Sequence, residues 1–470
     1  MLYLGMRLFL PAILFAVFFT AASVPLHLEK HSWRQFDDTP YNDTRLEIPV
    51  LYNHVFDFRF YEDYLIRKNN TGQSRFLFWA RDSVNFGDID FLFRCRADQK
   101  DNAADAAYVD EEIPFSIDMD RILMSWNINN VLSLKLGKDR FNWGPLKLGG
   151  LLVSDYHQGF NMVMQEYKLG PFLLKGFFTQ INSVAENDAV KLYEYKHSSV
   201  PDSIEITLLN RFYSAARLEF IKKRYGIGIG QAVIYAGENR NFELQYCMPF
   251  YPFHYGQMSV WREGNSYDNT FGSVDFFFIP ADSVKIYAEI LVDDIQVEFD
   301  EVSQSIQNSV AFMVGFETSG RDFSLFLEGG RINSFVYNHA AGQRLSYTNE
   351  KGFMGSPLGP DAELLYGEGS YLLKNGLKTS VGLWFMNKGE RNIEYEIQKM
   401  IKTREDKVPY GTVYKERNLW VSLEKTFFNS FSLEISTGIL NNFNMGNLAG
   451  NDESTPFLRI GAGSGIRTGN

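Results

Sequence analysis

The sequence has few long apolar runs, and none after its N-terminal residues reaches the roughly 18 residues that a membrane-spanning helix needs. This excludes spanning helices, although 45% of the 470 residues are hydrophobic and 16% are aromatic. The mean hydropathy is only -0.22, so polar residues dilute the apolar ones along each segment. Alternating polarity with abundant Phe and Tyr predicts a transmembrane β-barrel, whose outer face is apolar and whose lumen is polar. A soluble β-sandwich array would also alternate, but it rarely needs so many aromatic residues.

Cysteine, basic charge and nucleotide-binding motifs are also scarce. The two cysteines, Cys95 and Cys247, either pair in an oxidising compartment or remain free thiols buried in apolar strands. A net charge of -11 argues against nucleic acid as a partner. The chain has no Walker loop and no dinucleotide-binding glycine pattern, and its histidines show no metal-ligand spacing on a helix. We therefore predict no cofactor and no metal site.

The first residues predict export from the cytoplasm. An apolar core over residues 8–20 is followed by a small-residue cleavage site that ends at Ser23. Residues 1–23 are therefore predicted to be a signal peptide, cleaved near Ser23. Residues 24–50 show no clean period and predict an irregular N-terminal segment. The predicted barrel occupies residues 51–470 and lies in the cell outer membrane.

Strand-like segments with a period of two fill the rest of the chain, and tight turns alternate with long polar connections. Outer-membrane barrels show this asymmetry, with short turns at the periplasmic end and long loops outside. We predict an all-β fold, an antiparallel transmembrane outer-membrane β-barrel of roughly 16–18 strands. The predicted strands cover residues 54–66, 74–81, 88–96, 121–128, 131–138, 159–168, 172–181, 211–220, 225–235, 269–279, 284–292, 308–318, 321–331, 362–373, 376–386, 417–427 and 430–440, with a last strand near Phe457.

The stretch from Val131 to Asp155 carries the strongest candidate site. It begins as an alternating strand, continues as a polar and aromatic knot, and ends with an apolar run at residues 151–153 that predicts a second membrane-like strand. Sugars are bound by planar polar groups beside an aromatic face, on which pyranose C–H groups pack. The knot supplies both through Asp139, Arg140, Asn142 and Trp143. The alternative is a luminal salt bridge with Trp143 at a membrane interface.

Three further groups have two interpretations each. Asp293 and Asp294 could hold Ca²⁺ with sugar hydroxyls or act on a glycosidic bond, but neighbours in a strand point to opposite faces, which favours a solvent-facing pair. His197 and Ser199 have a spacing seen in outer-membrane phospholipases, and we interpret them as a polar loop. The loop over residues 355–361 is stiffened by two prolines, and is either a folded-in element that constricts the barrel or a plain turn.

Several motifs, taken in order, resemble those of the Wzi-like capsule-assembly family. The family's signature combines a glycine, a basic-Asp-Arg motif, a Trp-Gly pair and an apolar run that ends in Ser, and residues 137–144 followed by residues 151–155 are similar to it. Because Asp155 ends this stretch, it is a further candidate for carbohydrate binding. Further similar motifs are Arg217-Leu218-Glu219, Tyr235-Ala236-Gly237, Met248-Pro249-Phe250 with Tyr251-Pro252-Phe253, residues 287–294, Tyr337-Asn338-His339 and residues 355–361. The resemblance implies an outer-membrane barrel that acts as a lectin for surface polysaccharide and helps to organise the capsule. It implies no catalysis.

The leading hypothesis is an outer-membrane protein, not an enzyme, that binds extracellular or capsular polysaccharide and helps its assembly or attachment at the cell surface. Its predicted partners are this polysaccharide, outer-membrane lipid and the barrel-assembly machinery. The alternatives are a porin or channel, which predicts an open lumen, and an outer-membrane hydrolase, which predicts that Ser199 or the Asp293/Asp294 pair is needed for turnover. A plugged lumen would favour the lectin over the porin.

Overall fold

The computed structural model describes the chain from residue 53 to residue 468, with internal gaps. The described residues are 53–67, 70–99, 115–156, 159–185, 208–262, 268–294, 309–339, 342–349, 352–392, 408–427 and 431–468. The predicted signal peptide and the irregular N-terminal segment lie outside these residues. His197 and Ser199 also lie outside them.

The described residues form 20 strands, two short α-helices and two short 3₁₀ helices, the latter at Gly342–Leu345 and Met445–Asn447. The strands are β1 (Asn53–Arg67), β2 (Asn70–Phe86), β3 (Ile89–Gln99), β4 (Phe115–Asn127), β5 (Leu132–Asp139), β6 (Phe160–Leu169), β7 (Phe172–Ala185), β8 (Leu208–Ile221), β9 (Tyr225–Gly237), β10 (Asp268–Ala281), β11 (Val284–Asp294), β12 (Ser309–Ser319), β13 (Phe323–Ile332), β14 (Thr348–Asn349), β15 (Gly352–Phe353), β16 (Ala362–Leu372), β17 (Leu377–Lys388), β18 (Tyr414–Phe427), β19 (Phe431–Phe443) and β20 (Glu453–Thr468). Helices α1 (Leu244–Cys247) and α2 (Phe253–Arg262) lie between β9 and β10.

Eighteen of these strands form one antiparallel barrel. Each pairs with its neighbours in chain order, and β13 pairs directly with β16 because β14 and β15 form a separate small hairpin. The ring closes at β1, which pairs with β2 on one side and with β20 on the other. All eighteen predicted barrel strands overlap one of these eighteen, the exception being the further strand expected at residues 151–153, and the prediction of an antiparallel barrel of roughly 16–18 strands is confirmed.

The two faces of the barrel wall have opposite chemistry. On β10, the side chains of Val274, Phe276 and Phe278 are exposed, whereas Ser273 and Asp275 on the alternate face are buried. The same alternation brings exposed Ile227 and Ile229, Ile286 and Ile290, Phe312 and Val314, Leu419, Val421 and Leu423, and Ile435 and Ile439 to the outer face. Apolar residues outside and polar residues inside reverse the order of a soluble protein and fit a wall surrounded by lipid.

The two ends of the barrel differ in the length of their connections. Eight connections of two to four residues lie at one end, together with the start of β1 and the end of β20. At the opposite end, eight of nine connections are longer, namely residues 100–114, 140–159, 186–207, 238–267, 295–308, 333–361, 389–413 and 444–452. Because long loops of outer-membrane barrels face outward, we refer to this end as the outer end.

The connection between β9 and β10 is not the plain polar loop that the sequence predicts, because it contains α1 and α2. Cys247 therefore lies on a helix rather than on an apolar strand, while Cys95 lies on β3. The two cysteines form no disulfide and are half-buried rather than fully buried. No helix within the described ranges is long and apolar enough to cross a membrane.

Candidate functional site

The chain between β5 and β6 turns inward and crosses the barrel, and we call residues 140–156 the plug. The plug leaves the wall after Asp139, where β5 ends, and forms no helix or strand. Leu151, Leu152 and Val153 are completely buried. Side chains of β11 and β13 contact the plug, and these strands lie far around the ring from β5. The plug therefore spans the lumen.

Glu289 on β11 holds the plug by its backbone. Leu151 N and Leu152 N donate to Glu289 Oε1 at 3.0 and 3.2 Å. Gly144 allows this approach, since its φ is +95° and an added Cβ would lie 2.8 Å from Glu289 Oε2. A wall carboxylate, not a neighbouring strand, takes these N–H groups, so the second membrane-like strand expected at residues 151–153 is wrong. The apolar run packs inside the lumen and not against lipid.

Glu328 on β13 makes a second contact of the same kind. Lys147 N and Leu148 N donate to its two carboxylate oxygens at 2.9 and 3.0 Å, and Tyr287 Oη donates at 3.1 Å. Glu328 is 1% exposed, so these bonds form away from solvent, where an unpaired N–H is costly. Lys147 Nζ also lies 2.6 Å from a carboxylate oxygen of Glu317. Two wall carboxylates thus fix the plug at separate points along its length.

Asn142 folds the plug onto itself. Its Nδ2 donates to Leu146 O at 2.6 Å, and its Oδ1 accepts from Gly150 N at 2.5 Å. Trp143 N donates to Val153 O at 3.0 Å. The amide side chain suits this position because it donates and accepts at once. Asn142 therefore acts as an internal brace between the two arms of the plug.

Trp143 lies in an aromatic cluster between the plug and the wall. Its ring is 2% exposed, and the ring centroid lies 5.3 Å from that of Phe177 and 5.8 Å from that of Phe141. Lys175 Nζ lies 5.3 Å from the ring centre, within the range of a cation–π contact. Protein atoms thus occupy the surroundings of the ring, and Trp143 seats the plug in this arrangement.

The connection between β13 and β16 also folds inward, and we call residues 333–361 the lumen loop. Tyr337 Oη donates to Leu151 O at 2.7 Å, and Tyr347 Oη donates to Leu152 O at 2.5 Å. Ser154 N donates to Met354 O at 2.9 Å. The two interpretations of residues 355–361 are resolved by these contacts, because the loop that contains them is a folded-in element that packs on the plug.

Asp361 ties the lumen loop to the neighbouring outer connection. Its carboxylate accepts from Ser334 Oγ at 2.8 Å, from Arg391 N at 3.1 Å and from Tyr410 N at 3.1 Å. Burial raises the pKa of Asp361 above its usual range. The guanidinium carbon of Arg391 lies 3.8 Å from the centre of the Tyr410 ring. The plug, the lumen loop and the described ends of the next outer connection, residues 389–392 and 408–413, therefore pack together.

A charged network lies on the lumen face of β7, β8 and β10. Arg217 Nε donates to Glu219 at 2.6 Å, and both terminal nitrogens of Arg217 bond to Asp275, Nη2 at 2.8 Å. Lys175 Nζ lies 2.6 Å from Glu219. These charges are paired within the wall. Within the described part of the chain, no three His, Cys, Asp or Glu side chains are grouped so that they could hold a metal ion.

The predicted carbohydrate-binding residues fall into two groups. Asp139 and Arg140 are brought together at the outer end of β5, where Arg121 Nε donates to Asp139 Oδ1 at 2.5 Å and Arg121 Nη2 donates to Arg140 O at 2.6 Å. Both residues remain partly exposed. Asn142 and Trp143 belong to the interior of the plug, where they contact protein.

The remaining predicted residues do not act as a pair. Asp293 Oδ2 accepts from Tyr337 N at 2.7 Å, which fixes the backbone of the lumen loop at a residue with a φ of +70°. The side chain of Asp294 lies outside the described part of the structure. Asp155 is partly exposed near the end of the plug. The structure therefore brings Asp139 and Arg140 together, but it does not show the seven candidates forming one site.

Sequence reasoning missed the residues that hold the plug, above all Glu289, Glu328 and Arg121. A signal for them exists, because each is a charged residue in the middle of an alternating strand. When its side chain points into the lumen, such a residue needs either the water of a channel or a segment folded into the barrel as its partner. The tyrosines at the plug surface, Tyr213 and Tyr347, give no comparable signal, since aromatic residues occur throughout the chain.

Comparison with known proteins gives one family. The profile of the family described as capsule assembly protein Wzi matches residues 119–448, which is more than half of the chain. A comparison with curated protein sequences finds no match.

Several solved outer-membrane barrels are similar to this chain. Wzi of Escherichia coli, an outer-membrane protein involved in group 1 capsule assembly, is 14% identical with a TM-score of 0.54, over 87% of this chain and 84% of that one. OccK1 of Pseudomonas aeruginosa is 10% identical with a TM-score of 0.47, over 88% and 99% of the two chains. OccAB4 of Acinetobacter baumannii is 10% identical with a TM-score of 0.46, over 88% and 98%.

The likeness to the Escherichia coli structure concerns the fold alone, at this level of identity. The family match adds the process, which is assembly of the capsule, and the lipid-facing wall adds the location, which is the outer membrane. The match also covers the plug, both carboxylates that hold it and the lumen loop. The chain belongs to the Wzi family of capsule assembly proteins.

Proposed function

We propose that this outer-membrane protein binds capsular or other surface polysaccharide at its outer end and helps to attach or assemble it there, without catalysis. The observation that carries the proposal is the plug. A segment bonded to β11 and β13 across the lumen suits a barrel that presents a rigid outer surface better than one that conducts solutes. The related Escherichia coli protein is described as a carbohydrate-binding β-barrel, which supports the same function here.

Asp139, Arg140 and Asp155 are the proposed sugar contacts among the original candidates. They are partly exposed, and Asp139 and Arg140 stand with Arg121 at the outer end of β5. Carboxylate and guanidinium groups bind vicinal hydroxyls or sugar carboxylates through bidentate hydrogen bonds. A polymer that repeats its units can engage several such weak contacts at once, so modest single affinities suffice.

Asn142, Trp143 and Asp293 are proposed to act on binding indirectly. Their described contacts hold the plug and the lumen loop in shape, and a rigid site loses less free energy on binding than a mobile one. Asp294 stays a candidate on its sequence position alone. We retain the cleaved signal peptide of residues 1–23 and the barrel-assembly machinery as further parts of the proposal.

The alternatives predict other behaviour. A porin requires a continuous aqueous path, which the plug and lumen loop obstruct. A hydrolase that used Asp293 would need that carboxylate at the substrate, but Asp293 accepts the backbone N–H of Tyr337. Neither alternative has an observation in its favour among the described residues.

The test is calorimetric titration of the detergent-folded barrel with the host's own surface polysaccharide. We expect saturable heat for the wild type and an affinity about 10–100-fold lower for Arg140→Ala, which is the loss of one charge-assisted hydrogen bond. Lys222→Ala is the matched control, because Lys222 is an exposed cation in the turn between β8 and β9 at the opposite end.

Two results would refute the proposal. The wild type would give no saturable heat although the barrel is folded, or Lys222→Ala would weaken binding as much as Arg140→Ala. In the first case, ion conductance of the wild type across a planar bilayer would then test the porin alternative.

A further inference from the structure

The connection between β9 and β10 does not stay at the outer end of the barrel, and we call its residues 238–262 the flap. Phe212, Val233 and Tyr235 on the wall are buried against Tyr246 and Phe253 of the flap. The flap therefore packs on one face of β8 and β9.

Strand parity places the flap on the lipid-facing side. Tyr213 faces the lumen, because its hydroxyl donates to Leu152 O in the plug. Gly230 also faces the lumen, since an added Cβ there would lie 2.7 Å from Leu152 Cδ2. Successive residues of a strand point to opposite faces, so Phe212 and Gln231 face outward. The flap covers them from outside the barrel.

The flap lies along a row of paired residues that crosses four strands. Cross-strand pairing aligns Gln165 on β6, Gly176 on β7, Ala216 on β8 and Gln231 on β9. These positions lie within their strands and not at the outer rim. The row combines two amides with two small residues, an unusual set for a wall that faces hydrocarbon.

The backbone of the flap bonds to both amides of the row. Gln165 Nε2 donates to Cys247 O at 2.6 Å. Gln231 Nε2 donates to Tyr251 O at 2.6 Å, and its Oε1 accepts from Phe253 N at 3.0 Å. Polar groups in hydrocarbon need such partners within the protein, because no water is there to replace them.

The small residues of the row let the flap approach closely. A Cβ added to Gly176 would lie 2.7 Å from Pro249 Cβ. Residues 247–253 thus run across the strands, and Cys247 O, Tyr251 O and Phe253 N are directed at the wall. The opposite face of the flap is directed away from the barrel wall.

That outward surface is apolar. Leu244, Phe250 and Tyr255 are exposed by 65%, 68% and 69%, and Phe242 by 58%. From residue 244 to residue 261 the sequence has no Asp, Glu, Lys or Arg. An outer loop in water gains nothing from an uncharged run of this length, whereas a segment in contact with acyl chains requires it.

Charged groups gather at the outer edge of the flap. Arg240 pairs with Asp268 at 2.5 Å and with Glu243 at 2.6 Å, and Tyr246 Oη donates to Asp268 at 2.6 Å. Arg240 and Glu243 precede the uncharged run, and Asp268 opens β10 at the outer end. This change from charged to uncharged residues is the pattern expected where a segment passes from water into hydrocarbon.

We propose that the flap is a re-entrant segment of the outer membrane: it leaves β9 at the outer end, descends along the outer wall over β6–β9, and contacts the acyl chains of outer-leaflet lipid with Leu244, Phe250 and Tyr255. A second copy of the chain or another protein on this surface is the alternative occupant. The uncharged run and the bonds of the flap backbone to the two wall amides favour lipid.

The test measures the surroundings of position 250 in lipid nanodiscs. A spin label is attached to Phe250→Cys in a Cys95→Ser/Cys247→Ser background, and its collision rates with oxygen and with a water-soluble nickel chelate are compared. Labels at Ile229→Cys and Leu448→Cys provide the references, because Ile229 is exposed on the outer wall and Leu448 is exposed in an outer loop. Each labelled protein is checked for folding by its heat-dependent migration.

We expect the label at residue 250 to favour oxygen over nickel to the same degree as the label at Ile229. A preference for nickel, as at Leu448, would place the flap in water and overturn the proposal. Low accessibility to both reagents would mean that protein covers the flap, and this too would overturn contact with lipid.

A second pair of variants tests the contact between the flap and the row. Gly176→Val adds side-chain atoms where Pro249 lies, and should shift the label at Phe250 toward nickel. Gly272→Val is the matched control, since Gly272 pairs with Gln231 in the same row and an added Cβ there meets nothing within 4 Å. An unchanged label in Gly176→Val would contradict the contact, as would equal shifts in both variants.

Discussion

Removing both wall carboxylates that hold the plug is expected to open the barrel to ions. Glu289 and Glu328 each accept two backbone N–H groups of the plug, and each is 1% exposed. A buried N–H that loses its acceptor costs about 1–3 kcal/mol. One carboxylate therefore accounts for about 2–6 kcal/mol and both for about 4–12 kcal/mol, less the free energy that their own burial costs.

Apolar burial opposes release of the plug. Six of its apolar side chains are exposed by 7% or less: Trp143, Leu146, Leu148, Leu151, Leu152 and Val153. Each contributes about 1.5–3 kcal/mol, which gives roughly 9–18 kcal/mol together. A single Glu→Ala variant therefore leaves the plug seated for most of the time. In the double variant Glu289→Ala/Glu328→Ala, the cost of the unpaired N–H groups comes close to the free energy of apolar burial. An open state should therefore be populated.

The assay is ion conductance of single barrels in a planar lipid bilayer. We expect no sustained current for the wild type, brief openings for the single variants and long openings for the double variant. Glu416→Ala is the control, because Glu416 is also buried in the lumen but accepts from Trp384 Nε1 and Tyr414 Oη of the wall. A double variant as closed as the wild type, or a control that conducts equally, would refute the role given to the two carboxylates.

Three further predictions concern the plug and the lumen loop. Trp143→Ala removes a ring that is 2% exposed, which should destabilise the seated plug by about 3–5 kcal/mol and speed proteolysis of residues 140–156. Gly144→Ala should lower the thermal midpoint of the folded barrel more than Gly87→Ala, because both have positive φ but only Gly144 lies against another side chain. Burial lowers the pKa of His339 from 6.5 to about 4, so the unfolded chain binds a proton that the folded chain does not between these pH values. The free energy of unfolding should therefore fall by about 3 kcal/mol from pH 6.5 to pH 4, measured by thermal unfolding, and His339→Gln should remove this fall.

Each of these predictions has its own control or contrary outcome. Trp126→Ala removes a tryptophan that is 42% exposed on β4, and should leave proteolysis of the plug unchanged. Equal midpoints for the two glycine variants would mean that the contact with Glu289 is unimportant. If the free energy of unfolding of His339→Gln falls between pH 6.5 and pH 4 as it does in the wild type, the pH dependence belongs to another group.

The fold was largely predictable from the sequence. Strands in a barrel wall need an apolar residue at every second position and a turn at regular intervals, and both signals are local. These local signals predict the strands of residues 211–220 and 225–235 together with their connecting turn. The same rule failed at residues 151–153, because an apolar run of three is compatible with a strand against lipid and with a segment packed in a lumen.

The candidate site was less predictable, because it depends on contacts between residues far apart in the chain. The knot is unusual in the sequence, but a sequence gives no exposure for Trp143, which is buried in an aromatic cluster. Adjacency in the sequence suggests that Asp293 and Asp294 act together, whereas Asp293 accepts a hydrogen bond from Tyr337 N in the lumen loop. Alternation does carry one further signal: a charged residue on the lumen face in mid-strand, such as Glu289, implies a partner inside the barrel.

Closure of the ring sets the order in which the molecule can be built. β1 pairs with β2, which follows it almost directly in the sequence, and with β20, which is the last strand of the sequence. Hairpins with short connections need little loop-closure entropy and can assemble early, while the β1–β20 pair must wait for all strands between them. Until that last pairing, two strand edges stay exposed and can join another chain. The plug has a lumen to cross only once the wall around it exists, so seating of the plug reports the final stage of assembly.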